Sequence, residues 1–196
     1  LVEKVATFPG AAAIAAVGFT LNDPTLIHEA IDGPIGFRYQ MKHFVSEGFW
    51  IEGTFGYHFY ALRALVATAQ MARCHGINLW EQEPSLLSLF DGPLAVVLPN
   101  GYLPAFNDSN PVNIYEQDYL YEQAYAASKN PRYLPIMLKY GRSNREALLF
   151  GVPATPKPPL LKLKSEVFAR AGFAALRNNV NDLTVIVKFG PHGGPH

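Results

Sequence analysis

Apolar residues over the first 150 positions recur in the 3.6-residue rhythm of helices. After a proline-rich break they alternate in the shorter rhythm of strands. Residues 11–21, AAAIAAVGFTL, are nearly all apolar, which predicts a short helix buried on every side. Asn22-Asp23-Pro24 then supplies a cap and a first-turn proline for a helix over 24–45, broken at Gly33-Pro34. The clearest helix spans 54–75. Its Phe59, Leu62, Val66 and Ala69 form one stripe, and Gly76 closes it. Further helices are predicted over 84–97, 114–128 and 131–140, with a short turn at 144–149. A polar loop over 98–113 lies between them.

The pattern changes at 152–160, VPATPKPPL, where prolines remove backbone donors and favour an extended linker. Beyond it, 167–178 and 183–190 read as strands, with alternation and β-branched residues. Helices first and strands later argue for an α+β chain or for two domains, not for a doubly wound sheet. The expected division is a helical domain over 1–150, a linker over 151–164 and the start of a β-domain over 165–196. Recurrent helix–loop–helix units suggest stacked helical hairpins with loops gathered at their ends.

Composition narrows the function classes. Apolar residues make up 49% of the chain and charged residues 16%. Sixteen basic and sixteen acidic side chains give zero formal charge, so no global field draws nucleic acid or anionic lipid. One cysteine, Cys74, excludes an internal disulfide framework and a cysteine-rich zinc site. No apolar run approaches the ~18 residues of a membrane span. The chain begins at Leu1 and stops within GPHGGPH, which suggests a piece of a longer protein, and its compartment stays open.

Three clusters could carry chemistry. On a helical wheel, Tyr57, Tyr60 and Ala64 share one side, opposite the apolar stripe, and His58 falls nearer that stripe. A phenol is ordinarily an acid at neutral pH. Nearby cations would depress its pKa and make phenolate available as a base. The alternative is a pair of boundary tyrosines with hydrogen-bonded hydroxyls. Just upstream, Glu52 suits a helix cap, and Phe49 and Trp50 suit either a sugar-stacking platform or the core. The second cluster, Gly190 to His196, offers His192 and His196 for acid–base or metal chemistry, or is a solvated tail. The third, Pro104 to Asn110, is rich in turn residues and long enough to bind a ligand. Cys74 and His75 are adjacent on a helix and point apart. No GxSxG elbow, phosphate loop, dinucleotide fingerprint or HExxH occurs.

These residues resemble a family. DGPIGF, then the segment from His43 through SEGFWIEGTFGYHFYAL, then FNDS, YEQAYA, FARAGFAALR and FGPHGGPH are similar to the heparinase II/III-like polysaccharide lyases, especially their oligo-alginate lyase branch. The likeness runs from about Ala12 onward. The resemblance implies a partial α/α toroid followed by the first strands of an antiparallel β-sandwich, with a cleft between them. It implies β-elimination at a 4-linked uronic acid, with alginate oligosaccharides ahead of heparin- or heparan-type chains. The partner is then an acidic oligo- or polysaccharide, with no nucleic acid and no membrane. By position, Tyr57 matches the catalytic tyrosine, with Tyr60 as fallback, and His196 matches the catalytic histidine. Trp50, Glu52, His58, Tyr60, Asn107 and His192 become expected substrate-binding residues. No cofactor is implied for the residues given, although some longer relatives bind zinc. The family's upstream Asn/His element would fall near residues 1–4, Leu-Val-Glu-Lys, which leaves the group that neutralises the substrate carboxylate unassigned. Two other functions remain: a non-catalytic carbohydrate-binding toroid, and a toroid glycoside hydrolase. Hydrolysis needs two carboxylates ~5–9.5 Å apart, and Glu52 has no evident partner along the sequence.

Overall fold

The computed structural model of the chain describes residues 8–153, 158, 160, 161, 163–178, 180 and 183–190. Its architecture is a helix-rich part followed by small antiparallel sheets. Helix α1 (Phe8–Leu21) packs against α2 (Pro24–Asp32) and α4 (Phe55–Cys74). Contrary to the all-round burial expected of 11–21, Ala13, Ala16, Val17 and Thr20 are exposed, because α1 meets these neighbours along one side only. A β-carbon at Gly18 would stand 2.9 Å from the Ile27 amide nitrogen, so only glycine lets α1 and α2 approach this closely.

The segment 24–45 breaks where Gly33-Pro34 predicts, giving α2 and α3 (Phe37–Phe44). Asp23 caps α2: its Oδ1 accepts from the Thr25 amide at 2.8 Å and the Leu26 amide at 3.2 Å. A hairpin follows, β1 (Val45–Ser46) and β2 (Phe49–Trp50), turned by Glu47 and Gly48 at φ +51° and +84°. Gly48 lies against α6 (Ser85–Val96), where a β-carbon would strike the Ser88 carbonyl. Helix α4 is capped by Thr54, whose Oγ1 accepts from the Tyr57 amide. The short α5 (Leu79–Gln82) leads into α6.

The loop expected over 98–113 contains a second two-residue hairpin, β3 (Tyr102–Leu103) with β4 (Val112–Asn113). A 3₁₀ turn at Ile114–Gln117 then enters α7 (Asp118–Ser128). The helix expected over 131–140 is shorter: a 3₁₀ turn at Pro131–Tyr133 and α8 (Leu134–Met137). The last helix, α9 (Arg145–Phe150), packs on α7. Here Glu122 is fully buried and paired with the Arg142 guanidinium through both carboxylate oxygens, Nε to Oε2 at 3.0 Å and Nη2 to Oε1.

The strand expected over 167–178 is two strands, β5 (Glu166–Phe168) and β6 (Phe173–Asn178), joined by a turn with Gly172 at φ +75°. With β7 (Leu183–Lys188) they form an antiparallel sheet in the order β5-β6-β7, with Phe173 opposite Lys188 and Asn178 opposite Leu183. This sheet shares the helical core. Phe173 stacks on Phe49 at 4.5 Å between ring centroids and also meets Phe55 and Phe106. Arg177 donates to the Ala95 and Val97 carbonyls at the C-terminal end of α6, and Glu47 accepts from the Arg170 and Ala171 amides. Aromatic burial and these polar ties set the sheet beside the start of α4.

Candidate active site

The Thr54 cap fixes the first turn of α4, and that turn carries Gly56 and Tyr57 to the surface. The β3–β4 loop, residues 104–111, closes over them. The Gly56 amide donates to Ser109 Oγ at 3.0 Å, and the Tyr57 hydroxyl donates to Asp108 Oδ2 in a long bond of 3.5 Å. Between helix and loop lies an open cavity of about 360 Å³, lined by Gly56, Tyr57, Tyr60, Asp108, Ser109, Asn110 and Val112. Tyr60 stands one turn beyond Tyr57 and is 55% exposed. The shared face of the two tyrosines thus borders a concave site wide enough for a sugar ring, with mostly apolar walls and a few polar groups.

The electrostatics reverse one expectation. Desolvation, then the Asp108 and Glu52 carboxylates, then the hydrogen bond to Asp108 hold the Tyr57 phenol above its ordinary pKa. Among the described residues the charged groups that shift it are anions, not the cations that would favour phenolate. The hydroxyl therefore keeps its proton through neutral pH and can serve as an acid.

Residues 10–98 match the alginate lyase family. The matched span covers α1 through α6 and includes Glu52, Tyr57 and Tyr60, whereas the loop that carries Asp108 lies beyond it. No curated protein and no solved structure matches the chain. The alginate lyase match supports a polysaccharide lyase of the alginate-lyase type, with an acidic polysaccharide as substrate. Among the described residues no helix is long and apolar enough to cross a membrane.

The other expected site residues are placed differently. Trp50 is 2% exposed, packed edge-on against Phe44, and its Nε1–H donates to Glu52 Oε2 at 2.7 Å. The indole is core and offers no open face to a sugar. Glu52 is also buried, and Thr54, not Glu52, caps α4, yet the Glu52 carboxylate acts on Tyr57 through its charge. Asn107 is exposed in the left-handed region at φ +55°, where it turns the loop; the amide that lines the cavity is Asn110. His192 and His196 lie outside the described residues. Among the described residues no group of three or more His, Cys, Asp or Glu side chains could hold a metal ion. The polar cluster at 104–110 was visible in the sequence, but the pairing of Asp108 and Ser109 with α4 had no local signal.

His58 lies inside the helix bundle at 2% exposure, with both ring nitrogens engaged. The Trp50 amide donates to Nδ1 at 3.2 Å, which places the proton on Nε2, and Nε2 donates to the Leu89 carbonyl at 2.8 Å. The ring ties β2 and α6 to α4. Burial lowers its pKa from 6.5 to about 4. The neutral ring is thus favoured in the folded state, and between these values the unfolded chain binds the extra proton. Stability is fully present above about 6.5 and falls as pH drops toward about 4, by up to about 3 kcal/mol. Urea melts across that window are expected to show this acid limb in the parent and a flatter one in His58→Gln. An unchanged limb in the variant would mean that other groups drive the loss.

Proposed function

We propose that the chain carries the catalytic tyrosine of a lyase that cleaves 4-linked uronic-acid glycans by β-elimination, alginate oligosaccharides ahead of heparin- or heparan-type chains. The observation that supports this most is the protonated Tyr57 hydroxyl at an open cavity, within the span that matches the alginate lyase family. In this reading the helical part is a portion of an α/α toroid over 1–150. A linker over 151–164 follows, and the sheet from 165 begins a β-sandwich.

In the reaction a base removes the C5 proton. The electron pair forms the C4=C5 double bond as the C4–O4 bond breaks, and O4 leaves with a proton. Tyr57 supplies the O4 proton. The base is His196, assigned by resemblance, with His192 four residues earlier. Charge gathers on the C6 carboxylate as C5 loses its proton, and a positioned donor stabilises it. Asn110 is the cavity-lining amide suited to that role.

Incubation with alginate oligomers tests the reading through the ultraviolet absorbance of the unsaturated uronate product, with reducing ends counted in parallel. Rising absorbance and reducing ends together support elimination. Reducing ends without absorbance would overturn it in favour of hydrolysis. Binding without either would overturn it in favour of a carbohydrate-binding module.

A further inference from the structure

We infer that Asp108 is the positioning residue of Tyr57: from the β3–β4 loop it accepts the phenol's hydrogen bond and aims the hydroxyl into the cavity with its proton in place. The inference deepens the proposed lyase reading and rests on it for its meaning in turnover. Its geometry stands apart from that reading.

Two consecutive loop residues grip two consecutive helix residues. Ser109 Oγ takes the Gly56 amide, and Asp108 Oδ2 takes the Tyr57 hydroxyl, across 53 and 51 positions of sequence. The fit at Gly56 is close: a β-carbon there would come within 2.8 Å of Ser109 Oγ, so the loop sits against bare backbone. The loop is anchored on its other side by Phe106, whose ring meets Phe173 of β6 at 5.9 Å. Asp108 is thereby held between the sheet and α4 while remaining exposed to the cavity.

Among the described residues the charged groups acting on the phenol are Asp108 from the loop and Glu52 from the turn before α4, and Tyr60 stands beside it on α4. Both carboxylates favour the protonated phenol, and Asp108 alone among the two also accepts its hydrogen bond. A carboxylate at this point also repels the uronate's own carboxylates, which turns a hydroxyl edge of the sugar toward Asp108 and the charged edge away.

Tyrosine labelled with carbon-13 at the ring Cζ reports the protonation of Tyr57 in the full chain without any turnover, with Tyr57→Phe assigning the signal. In the parent the Tyr57 signal is expected to titrate above the ordinary tyrosine range. In Asp108→Asn its midpoint is expected to move down, while Asp108→Glu restores it in part. With alginate oligomers, Asp108→Asn is expected to lose about tenfold in kcat with KM nearly unchanged. An identical Tyr57 midpoint in the parent and in Asp108→Asn would overturn the inference, and so would a loss confined to KM. If the midpoint moves as expected and alginate is not cleaved by the parent, the positioning role stands and the lyase reading falls.

Discussion

Tyr57→Phe is expected to lower turnover of alginate oligomers by about 10²–10⁴-fold while the fold is retained, the usual worth of a positioned general acid. The substitution removes one oxygen at the mouth of the cavity. It leaves the ring, the Thr54 cap on the Tyr57 amide and the Ser109 clamp on Gly56 in place. Far-ultraviolet circular dichroism and the melting temperature should match the parent, so that the loss belongs to chemistry. Tyr60→Phe on the same cavity wall is expected to cost far less, because Tyr57 carries the hydrogen bond to Asp108 and stands closer to the docked loop. A Tyr57→Phe variant with parental turnover would remove the acid from the mechanism.

The second large effect is on stability. Arg142→Met is expected to destabilise the chain by about 3–5 kcal/mol, because it strands the fully buried Glu122 carboxylate without the guanidinium that pairs with it. Breaking a buried pair from one side costs more than the pair contributes, since the remaining charge has lost its solvent and its partner. The double variant Glu122→Leu with Arg142→Met is therefore expected to recover most of the loss. Urea unfolding of the two variants measures this, and a double variant no more stable than Arg142→Met would contradict it. Arg145, which is paired with Glu146 at the exposed start of α9, serves as the control, and Arg145→Met is expected to cost no more than about 1 kcal/mol.

What the sequence revealed, and what it hid, follows from the range of the interactions involved. Helix α4 was legible because its stripe of Phe59, Leu62, Val66 and Ala69 repeats over about three turns, and each of these residues is buried. The same wheel put His58 toward the apolar side, where the structure places it; the family motif pulled it toward the cleft. The break at Gly33-Pro34 was legible from local backbone chemistry alone. The hairpins β1–β2 and β3–β4 were not, because two-residue strands are too short to show any alternation. The strand expected over 167–178 split because the turn before Gly172 carries Ala and Arg, which give no turn signal of their own.

For the site, the tyrosine pair was readable as one helical face, but its environment was not. The carboxylate facing Tyr57 comes from a loop far along the chain, so the direction of the phenol's shift depends on a tertiary contact. Trp50 shows the converse. A large aromatic in a loop bracketed by Gly48 and Gly53 suits a sugar platform and a core equally well in sequence, and only packing against Phe44 and the bond to Glu52 decide for the core. Asn107 and Asn110 are chemically alike and three positions apart, and only the folded loop shows that Asn107 takes a left-handed backbone while Asn110 lines the cavity.

The mass of the products released from alginate oligomers of defined length tests the central claim most directly. Elimination with Tyr57 as the acid predicts that each cut yields one fragment with an unsaturated non-reducing end, lighter by one water than the fragment hydrolysis would leave, and that these fragments are lost in Tyr57→Phe. Saturated fragments alone, or unsaturated fragments made equally fast by Tyr57→Phe, would contradict it.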